Sequence, residues 1–338
     1  MTNYPIDFVL LWVDGSDPQW LAEKNRWLVQ AGKDPINLDA GANRYRDWDN
    51  LRYWFRAVET YAPWVNRVHF VTCGQKPEWL NPDAPKLHLV NHRDFIPQEF
   101  LPTFSSHPIE LNLHRIPGLA DHFVYFNDDM FVAGPTDPKD FFVKGLPCNA
   151  ISEEPYEFTD KEIFNDILIN NIICINRHFS RKEARRQHPD KWYNLRCPHE
   201  TAKNLLMSGL GNRKFFGLAY GHLSQSYLKS TLETVWREEN QLLTETCSHR
   251  FRDSRDVSQS VFDFWQQLSG TIYPTSRRKT GRVFSAAWDP REAADAIRQK
   301  RYKLICLNDS CTMDFEATKA TVNAAFAQAL PNKSSFEL

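Results

Sequence analysis

Three short apolar runs in this chain end in acidic residues. Ile6 to Val13 gives way to Asp14-Gly15-Ser16-Asp17-Pro18, His122 to Phe126 to Asn127-Asp128-Asp129, and Lys303 to Leu307 to Asn308-Asp309. Runs of this length bounded by turn formers suit buried strands. Arg67 to Cys73 and Lys86 to Asn91 read as two more. Helical segments alternate with them. Pro18 opens one. Residues 47 to 62 place Leu51, Phe55, Val58 and Tyr61 on one face, with Asp47 as N-cap and Pro63 past the end, and Ile109 to Ile116 follows Pro108. The alternation predicts an α/β fold built on a mostly parallel sheet. Ligands of such sheets bind beyond the carboxyl ends of the strands, so the acids are expected to face one cleft.

After residue 150 the pattern turns helical. Residues 161 to 175 carry Ile163, Phe164, Ile167, Leu168 and Ile172 on one stripe, and 226 to 240 and 257 to 268 read as further amphipathic helices. The strand at 303 to 307 and a helix near 315 to 329 close the chain. The expected organisation is a nucleotide-sugar-binding α/β part (1 to 150), a helical insertion with catalytic and acceptor-side residues (151 to 300), and a final strand and helix rejoining the sheet (301 to 338). A length of 338 residues suits one or two domains.

Composition narrows the class. Hydrophobic residues at 42% and charged residues at 25% exclude disorder, collagen and a coiled coil. A net charge of -1 offers no global field for nucleic acid, so an anionic partner must meet a local patch. The seven cysteines are odd in number and lack zinc-type spacing, which reads as reduced thiols of a cytoplasmic protein. Ile6 to Val13 is too short and acidic for a signal peptide or a membrane span. Seven of the 11 tryptophans precede residue 80, predicting a rigid N-terminal surface.

Several groups are candidates for chemistry. A lone Asp after a strand is most often a turn former or cap. Two in succession are different, because their repulsion is relieved by a cation. Oxygen ligands at Asp129 and Asp309 suit Mg2+ or Mn2+, with Asp128 and Asn127 orienting that shell or the sugar. In the loop after the first strand, Gly15 permits close approach of a ligand, and the amides of the helix opened by Pro18 form an anion site; an ordinary turn is the alternative. Arg52 and Arg56 share a helix face, as a phosphate fork or a solvated surface; Arg44 and Arg46 lie just before them. Trp12 is core or a base-stacking platform. His107 and Glu110 flank a helix start within reach of sugar hydroxyls. The basic run Arg177 to Lys191, with Arg181, Lys182, Arg185 and Arg186, is either a solvated face or a site for an anionic acceptor or acidic membrane surface. Arg277-Arg278-Lys279 with Arg282 forms a second candidate patch.

These residues carry a family resemblance. Trp12 to Pro18 resembles the first conserved region of the Stealth family of sugar-phosphate transferases, which includes bacterial capsular polysaccharide phosphotransferases and the catalytic chain of the lysosomal-enzyme N-acetylglucosamine-1-phosphotransferase. The second region runs from Arg44-Tyr45-Arg46-Asp47 through Leu51, Tyr53, Arg56, Ala62-Pro63-Trp64, Val71-Thr72, Pro77-Glu78-Trp79-Leu80, His92-Arg93-Asp94, Leu101-Pro102-Thr103-Phe104, Ile109-Glu110 and Ile116-Pro117-Gly118-Leu119 to Tyr125-Phe126-Asn127-Asp128-Asp129. A third is similar at Gly221-His222 and at Phe251-Arg252 with Asp256; the fourth is Ile305-Cys306-Leu307-Asn308-Asp309. The chain departs from the family pattern at Asn50 and Trp54, where Glu and Ser are common, and at Ser224, where Pro commonly follows the histidine by two.

The resemblance implies a GT-A-like (Rossmann-like) fold, a divalent metal at Asp129 and Asp309, and a phosphotransferase moving a sugar 1-phosphate to an acceptor hydroxyl. The expected donor is a UDP-linked N-acetylhexosamine, the acceptor a glycan or glycan phosphate, and the leaving group a nucleoside monophosphate. His222 takes the base role, Arg252 forks onto phosphate, and Asp14 completes the catalytic set. Trp12, Gly15, Ser16, Asp17, Arg44, Arg46, Arg52, Arg56, His107, Glu110, Asn127, Asp128 and Asn308 are the expected substrate contacts. The implied setting is cytoplasmic, peripheral to the inner membrane face and in contact with capsule assembly. A metal-dependent glycosyltransferase releasing nucleoside diphosphate and a non-catalytic glycan-binding assembly protein stay open as alternatives.

Overall fold

β1 (Ile6–Leu11) is buried along its whole length, as a parallel strand covered on both faces must be. The structure, a computed structural model, describes residues 3–32, 46–158, 162–209, 213–285, 289–309 and 314–338. The later strands are β2 (Val68–Thr72), β3 (Leu87–Asn91), β4 (His122–Phe126), β5 (Met130–Val132), β6 (Phe142–Val143), β7 (Leu146–Asn149), β8 (Gln225–Leu228), β9 (Tyr273–Pro274), β10 (Gly281–Ser285) and β11 (Leu304–Asn308). The main sheet has the order β3-β2-β1-β4-β8. Its first four strands are parallel and β8 is antiparallel to β4. The chain steps outward from β1 to β3 and returns on the other side of β1, so the order reverses between β1 and β4. A crevice at the carboxyl ends follows from that reversal.

Successive side chains of a strand point to opposite faces. Phe8, Leu10, Val124 and Phe126 enter one core, Val9, Leu11, Phe123 and Tyr125 the other. Of the early helices α1 (Pro18–Gln30) and α2 (Leu51–Tyr61), α2 covers the first core together with the C-terminal helix Phe315–Ala329. The second core lies under α3 (Ser106–Leu111), α4 (Ile163–His178) and the helix Ser260–Leu268. Trp54 is fully buried and meets Phe126 edge-on at 5.5 Å. This departure from the family pattern therefore alters packing. Asp7 interrupts β1 without cost because its carboxylate is satisfied by Asn66 at 2.7 Å, the Ala120 amide at 2.8 Å and His69 at 3.0 Å.

Four local expectations are corrected. The N-cap position of α2 is Asn50, and Asp47 instead accepts the Asp49 amide. The helix expected over 109 to 116 starts at Ser106, where Ser105 caps it, and gives way to a 3-10 turn at Leu113–Arg115. The helix expected from 226 begins as β8, which pairs with β4 before a helix starts at Lys229. The final strand does not rejoin the main sheet, since β8 occupies that edge of β4. β11 pairs with β10 in parallel and β5 in antiparallel, forming a separate sheet. A third sheet has the order β6-β7-β9.

Arg56 ties α2 to the C-terminus. Its Nε and Nη2 fork onto Glu337 at 2.7 and 2.8 Å, and Nη1 donates to the Leu330 carbonyl at 2.9 Å. The Glu337 side chain is 3% exposed. Arg56→Ala strands that carboxylate, and stability in urea unfolding is expected to fall by about 3 kcal/mol. The donor KM should be unchanged; a raised KM with unaltered stability would restore Arg56 to a phosphate-binding role.

Candidate active site

A cavity of about 920 Å³ lies at the carboxyl edge of the main sheet. The parallel register delivers Trp12 after β1, Cys73 after β2 and Asn127-Asp128-Asp129 after β4 to its wall. β11 contributes Asn308 and Asp309, and the loop before β8 contributes Tyr220 and His222. His107, Glu110, Arg46 and Arg252 also line it. Arg44 lies outside the described residues.

Asp129 is the centre of the arrangement. Its backbone carbonyl accepts the Leu307 amide at 2.8 Å, which fastens β11 to the end of β4. Its Oδ2 meets His222 Nε2 at 3.0 Å and accepts from Cys306 Sγ at 3.3 Å. Its Oδ1 is buried with no hydrogen-bond partner among the described residues. A buried carboxylate oxygen in that state fits a cation. Asp309 lines the same cavity, so the donor set is compatible with a hard divalent ion.

The ionised carboxylate of Asp129 only accepts, so His222 carries its proton on Nε2. The neutral ring then presents its Nδ1 lone pair to the Tyr220 hydroxyl, 3.1 Å away. Burial opposes charging of His222, but the Asp129 hydrogen bond and charge outweigh it and raise the pKa. Burial and then Asp129 push the Cys306 thiol far up. Asp128 is lifted to about 7 by burial and by Asp129. The Asp128 side chain is exposed on the cavity wall, so the neighbouring Asp129 charge is the firmer cause.

Behind these groups stand buried supports. The Tyr125 hydroxyl donates to Glu110 Oε1 at 2.7 Å and meets the Asn127 amide group. Asp256 accepts from His107 at 3.2 Å and His249 at 2.6 Å. Arg277 bridges the Ser224 carbonyl at 2.6 Å and the Cys148 carbonyl at 3.1 Å, tying the loop that carries His222 to β7. Sequence reasoning did not name Tyr220, quoted Cys306 only within the fourth conserved region, and placed Arg277 in a candidate basic patch and not behind the His222 loop. For Tyr220 the signal was its closeness to Gly221-His222, and a Cys in an apolar strand such as Cys306 reads as core.

Other expected contacts are not brought to the cavity wall. Asp14 Oδ1 accepts from the Ser16 amide and hydroxyl at 2.9 and 2.6 Å, and Asp17 caps α1 while binding Gln75. The loop around Gly15 is held by its own bonds and by Gln75, and Asp14, Gly15, Ser16 and Asp17 are not among the residues that line the cavity. Arg56 is held by Glu337, and Arg52 lies over the Trp79 ring at 5.7 Å, so no phosphate fork forms. The basic run is divided: Arg181 and Arg185 turn inward and share the buried Glu153 at 2.6 and 2.7 Å, while Arg177, Lys182 and Arg186 are exposed, Arg186 pairing with Glu183 at the surface. Arg278 and Arg282 approach Glu200 and Glu292 at 3.7 and 3.8 Å. No helix among the described residues is long and apolar enough to cross a membrane.

Comparison with known proteins adds relatives. Stealth protein conserved regions 1, 2 and 4 match residues 4–28, 44–148 and 295–338. The capsular polysaccharide phosphotransferase WcwK of Streptococcus pneumoniae is 38% identical over 98% of this chain and 99% of its own. The receptor polysaccharide phosphotransferase WefC of Streptococcus oralis is 37% identical over the same shares. The exopolysaccharide phosphotransferase cps2G of Lactiplantibacillus plantarum is 34% identical over 99% and 96%. The solved galactosyltransferase LgtC aligns over 94% of this chain and 95% of its own, at a TM-score of 0.40 and 10% identity; the fold assignment rests on the sheet order above.

The lifted Asp128 carboxyl has a pH signature. The folded chain holds this proton more tightly than the unfolded chain, so its stabilising contribution is complete below pH 3.8 and is lost as pH rises through about 7. Asp128→Asn lacks this loss. In chelator, the thermal midpoint of the wild type should fall relative to Asp128→Asn between pH 4 and 8, within about a unit at either end. Parallel profiles would exclude the shift.

Proposed function

The chain belongs to the Stealth protein family, and on that premise we propose that it transfers a hexose 1-phosphate from a nucleotide sugar to a glycan hydroxyl in capsule or surface polysaccharide synthesis. The product is a phosphodiester and the leaving group a nucleoside monophosphate. N-acetylhexosamine 1-phosphate on a UDP carrier is the donor in this reading. Relatives named as phosphotransferases along nearly their whole length support it. The observation that carries it is the division of Asp129: one oxygen buried without a partner, the other on His222, in a cavity with room for a nucleotide sugar.

Phosphoryl transfer asks a protein mainly for positioning and charge neutralisation. Mg2+ or Mn2+, held by Asp129 and Asp309, would supply charge neutralisation on the donor diphosphate. Arg252 faces the same cavity with a planar fork suited to phosphate oxygens. Asp129 orients the His222 ring through Nε2, leaving Nδ1 as the basic atom. The Tyr220 hydroxyl now at Nδ1 yields to the acceptor hydroxyl, whose proton His222 takes as its oxygen attacks phosphorus. Glu110 and His107, fixed by Tyr125 and Asp256, offer groups for the sugar hydroxyls. A second hollow of about 620 Å³ shares Glu162, Ile163 and Arg252 with the main cavity and also presents Asp166 and Asp253. Carboxylates in that number suit sugar hydroxyls, so the acceptor approaches there.

Two measurements test the reading. With metal, nucleotide-sugar donor and glycan acceptor, the released nucleotide is expected to be the monophosphate; release of diphosphate means attack at the sugar carbon and supports a glycosyltransferase instead. His222→Ala should lower kcat by about 10²- to 10⁴-fold with the fold intact. Unchanged turnover removes the histidine from proton transfer.

A further inference from the structure

Asp129, His222 and Cys306 converge from the end of β4, the loop before β8 and the middle of β11, and their candidate ligand atoms lie within 4.8 Å of one another. Around Asp129 Oδ2 the separations are 3.0 Å to His222 Nε2 and 3.3 Å to Cys306 Sγ. A tetrahedral zinc ion with ordinary bond lengths needs separations of about 3.3 Å for O to N and about 3.5 Å for O to S. The two separations from Asp129 Oδ2 therefore stand within a few tenths of an ångström of a zinc shell, and the third pair of ligand atoms lies within 4.8 Å. Asp129 and His222 face the cavity, which gives an entry path and room for a fourth, water ligand.

We propose that this trio is a binding site for a thiophilic divalent ion of the zinc class, separate in ligand character from the hard-ion site at Asp129 and Asp309. Thiolate and imidazole select zinc over magnesium, which takes oxygen. On binding, the Cys306 thiol gives its proton to solvent and its sulfur lone pair to the ion. The ion takes the place of the Nε2 proton between His222 and Asp129, and that proton moves to Nδ1, where it faces the Tyr220 oxygen. A ring protonated on Nδ1 and metallated on Nε2 has no lone pair for an acceptor hydroxyl, so zinc blocks transfer. The inhibition rests on the function proposed above; the binding does not.

Metal-free protein titrated with Zn2+ against a chromogenic chelator tests the site, and Co2+ in place of Zn2+ reports the sulfur through its thiolate charge-transfer absorption. The wild type is expected to bind one ion with that absorption. Cys306→Ser should bind at least about tenfold more weakly, since even removal of an outer-sphere partner costs that much, and should lack the band. Cys73→Ser, which alters a cysteine on the cavity wall, should keep both. Equal affinity in wild type and Cys306→Ser, or no thiolate band in the wild type, overturns the site. Should Cys306→Ser lose its fold, the partly exposed His222→Gln provides the same comparison, and unchanged zinc affinity overturns it. Zinc inhibition of magnesium-dependent nucleotide release, at concentrations that fill the site, tests the consequence; absence of turnover without zinc fails the transferase reading and leaves the binding result standing.

Discussion

Asp129 is where three distant segments of the chain are joined. Its carbonyl holds β11, its Oδ2 holds the β8 loop through His222 and the β11 interior through Cys306, and its Oδ1 stays buried without a partner. A carboxylate oxygen buried in that way is expensive unless its charge is used, which makes Asp129 both a structural knot and the natural seat of a cation. The orientation of the His222 ring depends on it, and its carbonyl helps to hold β11 beside the end of β4.

The surrounding polar groups follow one pattern. Groups expected to meet a ligand as independent side chains are instead held by neighbours: His107 by Asp256, Glu110 by Tyr125, the His222 loop by Arg277. Such pairing fixes the position of a reacting group at low entropy cost when the ligand arrives. Near-neutral net charge conceals this. Arg181 and Arg185 neutralise the buried Glu153, and Arg56 neutralises Glu337 near the C-terminus, so these three basic side chains are structural.

The parallel strands and their acid-terminated ends were legible in the sequence, because apolar runs of five or six residues closed by Asp or Asn have few other uses in a buried sheet. The C-terminal helix was read at its observed limits, Phe315–Ala329. Reading failed where pairing partners decided the outcome. Gln225–Leu228 carries no strong strand pattern and became β8 because the edge of β4 was open to it. Arg52 and Arg56 do share a helix, yet that surface packs toward Trp79 and the C-terminal segment, a placement no local spacing encodes.

The same division runs through the site. The sequence by itself determined that aspartates would stand at strand ends, since strand length and turn chemistry are local properties. It also gave the cysteines no zinc-type spacing. Only the tertiary structure decided that Cys306 and His222, 177 and 93 positions from Asp129, would share one of its oxygens. The physical reason is that ligand geometry is set by distances of a few ångströms through space, and these came from β8 taking the edge of the main sheet and β11 being fastened to the end of β4, choices made by strand pairing and burial across the whole chain.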